Sequence, residues 1–207
     1  MKIQNLKENR QNIYLYPLIA AVILRLAEIP FISTSTAALM EYGTIARNML
    51  SGAGYAFTWY HADGSFVILP TAYMPPGQVL IQYAVLSLVG NNSTAVLALY
   101  SIQIVQSGAF IYMLGKIKDA LFKSRNATMV TIWLAAIYPP FIYLTMNFGV
   151  TSSALLLNAL VLYIGILFSE ALRSEKKQMK YALLMGVSCG LMLLFRGEEP
   201  SIILMTL

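Results

Sequence analysis

Glu41 is the residue of this chain best placed to move a proton. In the run EYGTIARNMLSGAGY it opens a helical row, with Glu41, Thr44 and Asn48 at i, i+3 and i+7 on one polar face. A carboxylate on such a face can serve as a general base, and a guanidinium near it can neutralise a departing anion. Three arginines stand apart from the basic clusters of the chain: Arg25, Arg47 and Arg196. Arginine suits phosphate because it offers parallel donors in a fixed fork. These residue types together fit transfer of a group from a phosphate leaving group to an acceptor that Glu41 deprotonates. The plainer alternatives are a solvated glutamate on a helix face, and arginines paired locally with Glu28, Glu41, Glu198 or Glu199. His61 and Asp63 lie two apart and could share a cation, but a lone histidine beside a turn aspartate reads as a solvated loop residue. Metal clusters, a P-loop and a Gly-x-Gly-x-x-Gly motif are absent from the sequence, so no cofactor is implied.

The elements that must hold these residues are membrane spans. Of 207 residues 58% are hydrophobic and 11% charged, against about 25% charged in a soluble domain. Mean hydropathy is +0.66. The net charge of +5 sits in short clusters between apolar runs, which is the pattern of membrane topology rather than of a nucleic-acid surface. The one cysteine, Cys189, forms no intrachain disulfide. The amino-terminal basic stretch and apolar run lack a small-residue cleavage site, so the run reads as an uncleaved first span.

The expected fold is all-α and polytopic, with five to six spans and a loop of juxtamembrane helices. Residues 1–12 form a cytoplasmic tail and 13–32 the first span; 33–94 are an exterior loop; further spans cover 95–115, 127–146, 152–168 and 181–195, with another beginning at 200–207. Within the loop, Thr36 to Leu50 reads as an amphipathic helix whose stripe of Leu39, Tyr42, Ile45 and Met49 lies in the membrane interface. Tyr55, Phe57, Trp59 and Tyr60 suit the headgroup level, and Asp63-Gly64 signals a turn. Pro75-Pro76 opens a helix too short to cross: its run of roughly 20 Å falls short of a ~30 Å core. Pro139-Pro140 should kink the span that contains it. With this topology eleven of the 14 Lys and Arg fall in cytoplasmic segments, as the positive-inside rule requires, and the amino terminus is cytoplasmic. Arg25 and Glu28, three apart in the first span, read either as a snorkelling pair near the interface or as an embedded charge lining a site. Gln103 and Gln106 should bond neighbouring helices.

Four stretches in order, EYGTIARNMLSGAGY, PTAYMPPGQVLIQYAVLSLVG, YMLGKIKDALF and AAIYPPFIYLTMNFGVTSSALLL, resemble the GT-C superfamily of membrane glycosyltransferases. Within it they are most similar to bacterial dolichyl-phosphate-mannose–protein mannosyltransferase-like enzymes and lipid A aminoarabinose transferases. The resemblance implies a bacterial inner-membrane enzyme. Its donor is a polyprenyl-phosphate sugar and its acceptor a lipid, glycan or protein at the exterior face, with no nucleic acid involved. It implies Glu41, before Tyr42, as the loop acid that acts as base or orients the acceptor. Arg47, Arg196, Tyr42 and Asn48 are then the expected substrate-binding residues. Two differences stand out: Val150-Thr151-Ser152-Ser153 lies where many relatives carry a second loop acid, and Leu194-Phe195-Arg196-Gly197-Glu198-Glu199-Pro200 where they often read L-T-R-P. Such relatives are longer, so the chain reads as the front part of a larger protein. The competing functions are a transporter or flippase of lipid-linked sugars, and a non-catalytic membrane subunit.

Overall fold

The computed structural model describes residues 2–174 and 178–196. Lys176, Lys177, Glu198, Glu199 and the final apolar run lie outside them. The elements in order are α1 (Lys2–Leu26), a 3-10 turn at Ile29–Phe31, a second at Thr36–Leu39, α2 (Met40–Leu50), β1 (Ala56–Tyr60), β2 (Phe66–Pro70), α3 (Pro76–Val89), α4 (Ser93–Leu121), α5 (Arg125–Ile137), α6 (Pro139–Met146), α7 (Thr151–Ser174) and α8 (Gln178–Phe195). Among the described residues, stretches within α1, α4, α7 and α8 are long and apolar enough to cross a membrane, and α5 with α6, bent by 46° at their junction, is long and apolar enough as a pair. The protein is therefore an all-α polytopic membrane protein, carrying one small hairpin.

Local chemistry explains the boundaries. Asn92 caps α4, its Oδ1 accepting from the amides of Thr94 (2.8 Å) and Ala95 (3.2 Å), which satisfies two of the donors a helix start leaves free. Pro76 stands in the first turn of α3, after Pro75 in extended conformation, where a missing N–H costs nothing. The break between α5 and α6 falls at Tyr138, whose ψ of 115° is extended, as the proline after it demands.

The hairpin is the main feature absent from the sequence reading. Strands β1 and β2 pair antiparallel from Ala56↔Pro70 to Tyr60↔Phe66. The turn is the Asp63-Gly64 one: Gly64 takes φ +85°, and Asp63 Oδ1 accepts from the Ser65 amide (2.9 Å) and hydroxyl (2.7 Å). The aromatic residues stand on strands: Phe57 packs edge-on to Trp59 at 5.0 Å, and Tyr60 faces Phe66 at 6.1 Å across the sheet.

Helix α2 also departs from expectation. It does not lie with its apolar stripe in lipid. Leu39 and Ile45 are fully buried in a protein core with Val79 and Leu86 of α3 and Val96, Leu99 and Tyr100 of α4. The reason is α3, which lies along α2 and covers the stripe before lipid can.

That core also fixes where α3 runs. Val79 from its first turn and Leu86 from its last half belong to one cluster with the amino-terminal half of α4 and Phe148. The carboxyl end of α1 reaches the same end of the bundle, where Tyr100 donates to the Arg25 carbonyl at 2.6 Å. At the other end, Tyr14 donates to Asp119 at 2.7 Å and Lys118 donates to Thr128 at 2.9 Å. Both ends of α3 thus sit at one end of the bundle. A Cys189→Ser background carrying single cysteines at Ala62, Asn91 or Lys123 checks this. Ala62→Cys and Asn91→Cys should react with an impermeant maleimide from one side and Lys123→Cys from the other. Reaction of Asn91→Cys together with Lys123→Cys would show that α3 crosses.

Candidate functional site

The site is built on the first turns of α2. Met40, immediately before Glu41, takes φ +53° and ψ −144°, a conformation that costs a residue with a Cβ about 1–3 kcal/mol and clusters at functional positions. It joins the 3-10 turn at Thr36–Leu39 to α2 at a sharp angle. Glu41 follows with an exposed side chain in the first turn.

Arg47 folds back toward that same end. Its Nη2 donates to Thr44 Oγ1 (3.1 Å) and its Nη1 to the Thr36 carbonyl (2.9 Å), while the Thr44 hydroxyl donates to the Met40 carbonyl (3.2 Å). Side chains on a helix lean toward its amino terminus, so the guanidinium from the last turn reaches back toward the first. Burial pulls the Arg47 guanidinium below its usual pKa. Its hydrogen bonds go to neutral oxygens rather than to Glu41. Tyr42 is half-buried against the core beneath.

Asn48 does not share the exposed face with Glu41 and Thr44. It is buried, donating through Nδ2 to the Ala56 carbonyl (2.8 Å) and Thr58 Oγ1 (3.0 Å). It therefore ties α2 to β1.

Arg196 closes α8, its amide bonded to the Met192 carbonyl at 2.9 Å. Its neighbour Phe195 lies flat over Gly77, where a Cβ would come within 2.7 Å of the ring. Only glycine leaves room for that contact, which brings the end of α8 to the start of α3. Helix α3 is thus the common neighbour of α2, which carries Arg47, and of α8, which Arg196 follows.

Beneath the site lies a row of buried polar groups. Gln78 and Gln82, one turn apart on α3, donate to the Phe148 carbonyl at 3.1 and 2.9 Å. The Ser153 hydroxyl lies between Gln78 Oε1 (3.3 Å) and Gln106 Oε1 (3.2 Å), and Gln103 donates to the Asn147 carbonyl at 2.9 Å. Gln106 thus bonds a neighbouring helix, α7, as its position in a span suggested, whereas Gln103 bonds the turn that joins α6 to α7. Gln78 and Gln82 were the missed pair; two glutamines four apart on an otherwise apolar helix were the available signal. Gln82 Oε1 is buried without a hydrogen-bond partner among the described residues. It and Arg47 Nη1 each stand 3.3 Å from the position of a Cβ on Gly43, so Gly43 is what lets α2, Arg47 and α3 meet.

His61 and Asp63 sit on the exposed turn of the hairpin. The Ser65 hydrogen bonds hold the Asp63 carboxyl below the usual carboxylate range.

The family described as dolichyl-phosphate-mannose-protein mannosyltransferase matches residues 73–207, more than half of the chain. The chain belongs to that family. It is accordingly a membrane glycosyltransferase of the GT-C type. The matched stretch begins just before Pro75 and takes in α3 to α8 with Arg196; Glu41, Tyr42, Arg47 and Asn48 of this glycosyltransferase lie upstream of it. No curated protein and no solved structure matches the chain.

Proposed function

We propose that this glycosyltransferase moves a sugar from a polyprenyl-phosphate donor to a lipid, glycan or protein acceptor at the exterior face of a bacterial inner membrane. Glu41 is the base, Arg47 and Arg196 receive the donor phosphate, Tyr42 borders the sugar and Asn48 holds α2 in place. The observation that carries the reading is the return of the Arg47 guanidinium to the helix end from which Glu41 projects. In the transfer, the acceptor oxygen attacks the anomeric carbon and gives its proton to Glu41. The bond from that carbon to the phosphate oxygen breaks, and the polyprenyl phosphate leaves with its charge against arginine. Preorganised charge of this kind is commonly the largest contribution to such a step. The exterior orientation rests on the placement of the basic clusters and puts the amino terminus in the cytoplasm.

Transport of a lipid-linked sugar is favoured by one observation, the broken α5–α6 span beside buried polar groups. Those groups bond backbone carbonyls of the 147–148 turn rather than lining an open path, so transfer is the preferred reading. The test is an assay of the full-length protein in membranes with radiolabelled polyprenyl-phosphate sugar. Label should pass to an acceptor. Label that changes leaflet with its lipid carrier intact would replace transfer by transport.

A further inference from the structure

Arg25, in the last turn of α1, is 1% exposed, and it neither snorkels nor hydrogen-bonds Glu28. Its Nε donates to Ser107 Oγ of α4 at 2.8 Å, and its Nη1 to the carbonyls of Ala21 (3.0 Å) and Ala136 (3.2 Å). The last of these accounts for the charge. In a helix the Ala136 carbonyl would accept from residue 140, and in a 3-10 turn from residue 139. Both are proline and have no N–H to give. Ala136 is fully buried, so without Arg25 its oxygen would be an orphan away from water, a state that membrane interiors penalise heavily.

The end of α1 that carries Arg25 is tied to α4. Tyr100 OH lies 2.6 Å from the Arg25 carbonyl and 3.2 Å from Glu28 Oε2. Arg25 therefore holds the last turn of α5, while Tyr100 holds the end of α1 that carries Arg25.

We propose that Arg25, with its end of α1 tied to α4 by Tyr100, forms a clamp that keeps the Pro139-Pro140 span bent, and through it is a positioning residue for the transferase site. The link is short. Helix α6 leads directly into Asn147 and Phe148, whose carbonyls hold Gln103 and the α3 glutamines under α2. The clamp itself stands on geometry alone; its part in catalysis rests on the transferase reading above.

Hydrogen–deuterium exchange on the full-length protein in lipid nanodiscs tests the clamp without reference to activity. Arg25→Met should raise exchange of the 141–149 amides about tenfold, the change that losing a buried hydrogen bond makes in a local opening equilibrium. Amides of 155–168 should stay unchanged. Tyr100→Phe, which removes one hydroxyl and no charge, should give a smaller rise in the same segment and keeps the test open where Arg25→Met does not fold. With Pro139→Ala and Pro140→Ala together, residues 139 and 140 regain N–H groups and the helix can satisfy Ala136 itself. In that background Arg25→Met should change exchange by less than about twofold. A rise spread evenly over all helices, or an undiminished effect in the double-alanine background, would overturn the clamp. If exchange behaves as expected and Tyr100→Phe leaves sugar transfer at the wild-type rate, the positioning role is wrong while the transferase reading stands. Absence of transfer in the wild-type protein would instead remove the reading above and leave the clamp.

Discussion

Glu41→Gln should abolish sugar transfer while leaving expression, insertion and thermal unfolding as they are. The substitution keeps the shape of the side chain and removes its basic oxygen. Loss of a general base lowers kcat by roughly 10² to 10⁴. The structure makes the fold-preserving half of the expectation firm, because Glu41 is exposed and none of the hydrogen bonds that organise α2 passes through it. The control is Asp63→Asn, in the same loop and also acidic. Asp63 already has its work: Oδ1 accepts from the Ser65 amide and hydroxyl, and asparagine can accept both. Because those bonds depress the folded-state pKa of Asp63, its support of the turn is present above the ordinary aspartate range. That support is lost only as pH falls through the lower folded value. At neutral pH the Asp63→Asn protein should therefore transfer sugar normally. Full activity in Glu41→Gln would reduce Glu41 to a solvated helix residue. Greater damage from Asp63→Asn would move the chemistry to the hairpin turn.

The parts of this fold legible in the sequence are those set by local rules. Hydropathy and length fix the spans, and the prolines at 139 and 140 dictate a break because the residue before a proline resists helix. Pro75-Pro76 and Asp63-Gly64 mark a helix start and a turn by their own backbone preferences. The hairpin was within reach by the same rules: AFTWY and FVILP are aromatic and β-branched runs around Asp-Gly, a hairpin signal. A membrane-level account of the aromatic residues competed with it and concealed the pairing. What local rules cannot supply is the partner. The α2 stripe is apolar whether it meets lipid or α3, and only the fold shows that α3 takes it. The partner of Arg25 that explains its burial is a carbonyl 111 residues away. Asn48 falls on the polar row by periodicity, yet its amide turns inward because the hairpin presents Ala56 and Thr58 there. In the candidate site the residue types were readable, and the return of Arg47 onto Thr36 was not.

Arg47→Gln should raise the KM for the polyprenyl-phosphate donor, with the loss of a charge-assisted hydrogen bond costing about 1–3 kcal/mol, or roughly five- to 150-fold. Two effects are mixed in that number, since Arg47 both pins the 3-10 turn through Thr36 and carries the positive charge. Arg47→Lys separates them. Lysine keeps a cation but not the fork that reaches Thr36 and Thr44 at once. A phosphate role makes Arg47→Lys recover much of the donor KM, while the pin at Thr36 stays weakened and the segment 36–40 exchanges its amides faster. A purely structural role makes glutamine and lysine equally harmful, because neither restores both bonds. Raised ionic strength adds a further check: screening weakens an exposed charge pair more than a buried bond. Salt should therefore raise the donor KM of the wild type more than that of Arg47→Gln. Equal salt dependence in the two proteins, with lysine no better than glutamine, would leave Arg47 as a strut under Glu41 and pass the donor phosphate to Arg196 alone.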